Sequence, residues 1–168
     1  MDNKDLVVND FCITFSTVNG SGSATANTTL MRALFKMGIP VSSKNIFPSN
    51  IQGLPTWYTL RLSKDGYMGR VEHDHIIVAM NQATLHKEVQ YLLPGGVFLV
   101  PDDFVLPEIN KDVIVYTMPV KRLVKEAEVP PTLRDYISNM VYVGVLCHLL
   151  EIDLDLIYQA LDYQFKGR

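Results

Sequence analysis

The stretch that decides the architecture is FCITFSTVNGSGSATAN, residues 11–27. Its first half, Phe11 to Val18, is β-rich and mostly apolar, the composition of a strand covered on both faces. Its second half sets a Gly-Ser-Gly-Ser turn ahead of an amphipathic run. Ala24, Leu30, Met31, Leu34, Phe35 and Met37 then fall on one broad face at helical spacing, and Gly38 serves as the stop. Pro40 to Phe47 reads as a second strand or extended segment. Strand, glycine turn, helix, strand is a βαβ unit, expected to be right-handed.

The same reading continues outward. Thr56 to Ser63 alternates as a strand, Lys64-Asp65-Gly66 turns after it, and Tyr67 to Val71 reads as a short return strand. Ile76 to Met80 is wholly apolar, the mark of a central strand. A helix over Gln82 to Leu92 is expected to break at Leu93-Pro94-Gly95-Gly96, and Val97 to Val100 and Val113 to Tyr116 supply two more strands. From Pro119 the pattern turns helical, with Val120, Leu123 and Val124 in one short helix. After Pro130-Pro131, residues Leu133, Ile137, Met140, Val141, Val145 and Leu149 mark the buried face of a long one. Asp153 is the N-cap of a last helix that points Leu154, Ile157, Leu161 and Phe165 inward. The expected fold is a three-layer α/β/α Rossmann-like domain with a mostly parallel or mixed sheet and a helical C-terminal tail.

At 168 residues and 48% hydrophobic content the chain suits one domain, residues 1–168, rather than two. A net charge of −3 with no Lys/Arg cluster gives no footprint for nucleic acid. No run of about 18 apolar residues spans a membrane. The polar start, Met1 to Asp5, is unlike a secretory signal, so a soluble cytoplasmic protein is expected. Cys12 and Cys147 stand far apart, without metal spacing, and read as buried reduced thiols. Two thiols are also too few for a cysteine-ligated iron–sulfur cluster, which usually takes four.

The turn itself is G-x-G-x-x-T, from Gly20, Gly22 and Thr25. A dinucleotide fingerprint wants Gly or Ala at Thr25 and a carboxylate ending the second strand, where Val41-Ser42-Ser43-Lys44-Asn45 has none. An NAD(P) site is therefore disfavoured. What remains is a helix N-terminus able to accept an anion or a partner's backbone, or a turn that simply packs. Lys44 to Arg61, KNIFPSNIQGLPTWYTLR, crowds amides, prolines and the Trp57-Tyr58 pair into one connection, which suits a surface buried against a ligand or subunit. Trp57 as ordinary core is the plainer alternative. Lys44 and Arg61 could pair with an anion, though such residues more often stay solvated. His73-Asp74-His75 lacks a third ligand and reads as a solvated turn rather than a metal site. There is no nucleophile elbow, no H-E-x-x-H and no Walker motif, so no catalytic residue is expected.

On GSGSATAN, NIFPSNIQGLPTWYTLR, VAMN, LPGG and the terminal NMVYVGVLCHLLEIDLDLIYQAL, the sequence resembles the gamma subunit or gamma domain of the 2-oxoacid:ferredoxin oxidoreductases. It looks most like the form fused at the N-terminus of the alpha subunit, of 2-oxoglutarate or pyruvate type. The resemblance covers nearly the whole chain, so the chain is expected to be a free gamma subunit or an excised domain. One departure is His75, where the family tends to carry an acidic residue before the IIVA strand. The resemblance implies an assembly that oxidatively decarboxylates a 2-oxoacid to an acyl-coenzyme A. Thiamine diphosphate, Mg and iron–sulfur clusters would sit in the alpha, beta and ferredoxin-like delta parts, with ferredoxin as acceptor. This chain, inactive alone and binding no cofactor alone, would scaffold that core and share in enclosing coenzyme A. Its expected contacts are Gly20, Ser21, Gly22, Ser23, Asn45, Ser49, Asn50, Gln52 and Thr56. The alternative is a free-standing nucleotide- or coenzyme-binding module of another complex.

Overall fold

The computed structural model describes residues 9–109 and 112–166. Six strands form one sheet in the order β2-β3-β1-β4-β5-β6. They are β1 (Asp10–Val18), β2 (Val41–Ile46), β3 (Pro55–Ser63), β4 (Asp74–Ala79), β5 (Leu92–Pro101) and β6 (Ile114–Met118). β1, β4, β5 and β6 run parallel, while β3 pairs antiparallel with both β1 and β2. The sheet is therefore mixed, and β2 runs with β1 but does not touch it. The expected β1-helix-β2 crossover exists with β3 inserted between its strands.

Five helices cover the sheet unequally: α1 (Ser23–Lys36), α2 (Leu85–Tyr91), α3 (Val120–Glu126), α4 (Arg134–Leu149) and α5 (Leu154–Phe165). One face carries α1, α4 and α5, with α3 beside α4. There Phe11, Ile13, Phe15, Leu60 and Leu62 from the sheet meet Leu30, Leu34, Tyr142, Leu146 and Ile157. Removing each such side chain from water contributes about 1.5–3 kcal/mol. The other face holds a smaller core of Ile77, Ala79, Phe98 and Val100 against Leu85 and Val89 of α2. No helix among the described residues is long and apolar enough to cross a membrane.

Several local expectations change. Tyr67 to Val71 forms no strand and lies exposed beside the edge strand β2, tied to it by the Ser42 hydroxyl, which donates to the Met68 carbonyl at 3.0 Å. Leu93 to Gly96 do not break the chain between helix and strand. They belong to an irregular start of β5, where the register against β4 shifts and Gly95 takes φ +77°. Phe35 and Met37 are exposed, since α1 buries a narrower stripe ending in Ala33 and Leu34. In α4 the buried face is Asn139, Tyr142, Val143, Leu146 and Cys147, displaced from the apolar set read from spacing. Leu133 and Leu149 point outward, and Ile137, Met140, Val141 and Val145 lie half-buried. Leu154 and Phe165 also face solvent, leaving Ile157 and Ala160 as the anchors of α5. Asp153 does cap α5, accepting from the Asp155 N–H at 2.9 Å.

Candidate functional site

The turn between β1 and α1 works because two of its residues are glycines. Gly20 (φ +88°) and Gly22 (φ +78°) lie in the left-handed region, where a side chain is strained. A Cβ on Gly22 would also stand 2.7 Å from a ring carbon of Tyr136, so α4 approaches the bare backbone closely. Asn139 on α4 donates to the Ser21 carbonyl at 2.8 Å, and the Thr17 and Ser23 hydroxyls bond each other at 2.8 Å. The turn is thus held from the strand and from the neighbouring helix.

Asn19 ties it to the amide-rich loop that precedes β3. Its backbone N–H donates to Leu54 O at 2.8 Å and its carbonyl accepts from Gly53 at 3.0 Å. Its side-chain amide donates to the carbonyls of Ser49 and Ile51. Two segments more than twenty residues apart in sequence therefore share one edge of the sheet.

That edge lies beyond the C-terminal ends of β1 and β4, where successive connections leave the sheet in opposite directions. Ligands of open α/β sheets bind at such a point. Two cavities open there. One of about 420 Å³ is lined by Gly20, Ser21 and Gln52 together with Asn19, Met80, Phe104, Lys121 and Asn139. The other, about 320 Å³, is lined by Gly20, Gly22, Ser23, Asn45 and Thr56 with Asn27, Tyr58 and Tyr136. Of the nine expected contacts, seven come together here. Ser49 and Asn50 line neither cavity: Ser49 instead shapes the loop, its hydroxyl accepting from Ile51 N–H at 3.2 Å.

The structure adds residues that the sequence reading missed. Asn27, fully buried, accepts the Tyr142 hydroxyl at 2.8 Å, which leaves its amide nitrogen without a partner. Burial pushes the Tyr142 phenol upward, so it remains a neutral donor. The Ser21 hydroxyl is likewise buried and unpaired. Lys121 faces the larger cavity but bonds Asp103 at 2.7 Å, a contact that raises its pKa. Asp135 faces it too, so the visible charge balance does not favour an anion. The edge offers amides, hydroxyls and backbone groups, and among the described residues that line it there is no nucleophile–base pair.

The remaining candidates resolve differently. Arg61 is consumed internally, on Asp10 and on the Phe11 and Leu62 carbonyls, and Lys44 is exposed on β2. His73-Asp74-His75 is no solvated turn, because Asp74 opens β4 and is 1% exposed. His75 Nδ1 accepts the Cys12 backbone N–H at 3.2 Å, and burial, aided by Arg61, lowers its pKa. Among the described residues no three His, Cys, Asp or Glu gather as a metal site. Trp57 is half-buried and donates Nε1–H to Glu88 Oε1 at 2.7 Å.

Solved structures share this fold, among them the following three. A 2-oxoglutarate:ferredoxin oxidoreductase from Magnetococcus marinus, solved with 2-oxoglutarate, coenzyme A and succinyl-CoA bound, superposes with a TM-score of 0.78 at 23% identity. The match covers 96% of this chain but 28% of that one, so the present chain spans a little over a quarter of its length. The gamma subunit of a keto/oxoacid ferredoxin oxidoreductase from Geobacter sulfurreducens gives 0.71 at 18% identity, covering 91% and 85%. A pyruvate oxidoreductase subunit from Thermotoga maritima gives 0.72 at 18%, covering 94% and 86%. No curated protein sequence matches significantly. The family model for pyruvate ferredoxin/flavodoxin oxidoreductase matches residues 12–168, and over that span the chain belongs to this family.

Proposed function

We propose that the chain is the gamma component, free or fused, of a cytoplasmic thiamine-diphosphate-dependent 2-oxoacid:ferredoxin oxidoreductase. In it the edge at the glycine turn contributes one wall of the coenzyme A site. The observation that carries this reading is the pair of cavities on either side of the Gly20–Ser23 turn, each with a buried unpaired polar group, Ser21 Oγ or Asn27 Nδ2. Such groups are costly to bury without a partner, and a ligand rich in amides and hydroxyls would supply one. Family membership and the fold shared with a relative solved with coenzyme A bound support the same ligand.

Thiamine diphosphate with Mg and the iron–sulfur clusters, held by alpha, beta and delta parts, would supply the decarboxylation and the electron outlet to ferredoxin. The residues here do not fit an iron–sulfur cluster: Cys12 and Cys147 are both buried, one on β1 and the other on α4. The part left to this chain is orientation. Asn139 and Asn19 hold the turn rigid, Asn27 and Ser21 offer hydrogen bonds, and the loop ahead of β3 closes the side. With Lys121 committed to Asp103 and Asp135 close by, the phosphates of coenzyme A would depend on cations from a partner part.

Calorimetry tests this directly. The chain alone should bind coenzyme A weakly or not at all, and the assembly reconstituted with alpha and beta parts should bind it saturably. Asn27→Ala in that assembly should raise the KM for coenzyme A while sparing the KM for the 2-oxoacid. Tight NAD(P) binding by the isolated chain, or turnover without partners, would overturn the assignment. A solitary monomer that binds a nucleotide would favour the free-standing module instead.

A further inference from the structure

Three of the buried polar atoms that lack hydrogen-bond partners line one other cavity, on the opposite face of the sheet from α1 and α4. They are Thr14 Oγ1, Thr59 Oγ1 and Asp74 Oδ1, on residues at most 4% exposed. The cavity encloses about 320 Å³ between β1, β3 and α2, and Glu88, Trp57 and Tyr91 complete it. Glu88 is itself 3% exposed, and its Oε1 accepts from both Ser16 Oγ at 2.8 Å and Trp57 Nε1 at 2.7 Å. It is distinct from the coenzyme edge: Trp57 and Tyr58 are adjacent on β3 and point to opposite faces, and Tyr58 lines the edge cavity.

We propose that this cavity is a second binding site, one that takes a primary ammonium group on a short alkyl stem. Its buried charges are two carboxylates, while the cations near it, Arg70 and Lys87, stand exposed at the rim. Arg70 reaches only Asp74 Oδ2, at 3.9 Å; the nearby Thr14 hydroxyl and Arg70 favour the charged carboxylate, but burial outweighs them and raises the Asp74 pKa. A buried carboxylate without a close partner is costly, and an anion or an apolar guest would worsen that cost. An ammonium brings the missing charge and three N–H donors, matching Asp74 Oδ1 and the two threonine oxygens. Trp57, Tyr91 and Ile46 form the apolar wall along which its stem would lie. A divalent metal suits the site less well, because it needs about six or more oxygens and Glu88 Oε1 already accepts two hydrogen bonds.

Trp57 is the only tryptophan in the chain, so its emission reports on the site directly. Titrating the 168-residue chain with propylammonium at constant ionic strength should give a saturable change. Tetramethylammonium, with the same charge and no N–H, should give none. Asp74→Asn should weaken the response by about tenfold or more. The double variant Thr14→Val, Thr59→Val should weaken it while leaving the carboxylate in place, which keeps the test open if Asp74→Asn does not fold. Saturation by lysine blocked at both backbone ends would identify a partner's side chain as the source; saturation by the free amine alone would identify a small molecule. The proposal is overturned by no saturable change, which means water alone fills the cavity. An equal response to tetramethylammonium or to Mg²⁺, or an unaltered response in both variants, overturns it as well. Coenzyme A should leave the titration unchanged, so this outcome is independent of the edge site.

Discussion

Along β1, Phe11, Ile13 and Phe15 face α1 and α4, whereas Thr14 and Ser16 face the side covered by α2 and the short turn before it. Both sets are buried, yet the first belongs to a continuous apolar core and the second to a polar cluster with Thr84, Glu88 and Trp57. The difference teaches that burial alone does not mark a core. On the first face apolar packing dominates, with the buried Asn27 as an exception. On the second, groups that need partners are kept out of water, an arrangement tolerated where something other than stability is served.

That contrast can be broken from either side. Phe15→Ala, which empties a fully buried site between Tyr58 and Tyr142, should lower unfolding free energy by about 3–5 kcal/mol in a urea titration. Gly22→Ala should cost about 1–2 kcal/mol from its left-handed backbone, with more from the clash against Tyr136. Adding Tyr136→Ala to that variant should recover the clash portion and leave the backbone portion, which separates the two causes.

A smaller effect depends on pH. His75 must stay unprotonated at Nδ1 to accept the Cys12 N–H, and its folded pKa lies below the ordinary 6.5. Between the folded value and 6.5 the unfolded chain binds more protons, so stability rises with pH there. The contribution is complete above about 6.5 and is lost as pH falls through the folded value. Urea midpoints measured from about pH 7.5 to 5 should show this slope in the wild type and lose it in His75→Asn. The smallest change carries the opposite sign: Thr14→Val removes an unpaired buried hydroxyl at nearly constant shape. It should leave stability unchanged or raise it by about 1 kcal/mol in amine-free buffer. A clear loss there would mean that the hydroxyl already has a partner.

Much of the architecture was legible because local chemistry and tertiary demand agreed. The apolar strand at Phe11 to Val18, the glycine turn, the Asp153 cap and the short buried strand after His75 all sit where pattern places them. The misreadings share a cause. The α4 helix is apolar almost all round, so spacing did not single out the face whose Tyr142 and Leu146 meet α1. Asp74 looked solvated because carboxylates usually are, and only the packing of β4 against β1 and α2 buries it. Asn27 and Asn139 gave no signal, being single amides in helices.

The sequence by itself determined most of the order of elements, the place of the glycine turn and the family, since these rest on residue type and spacing along the chain. Only the tertiary structure decided which distant residues share an edge. It also set β3 antiparallel between β1 and β2, and gathered Thr14, Thr59 and Asp74 around one cavity. The physical reason is that hydrogen-bond partners and burial are properties of pairs brought together by folding, and no single segment encodes them.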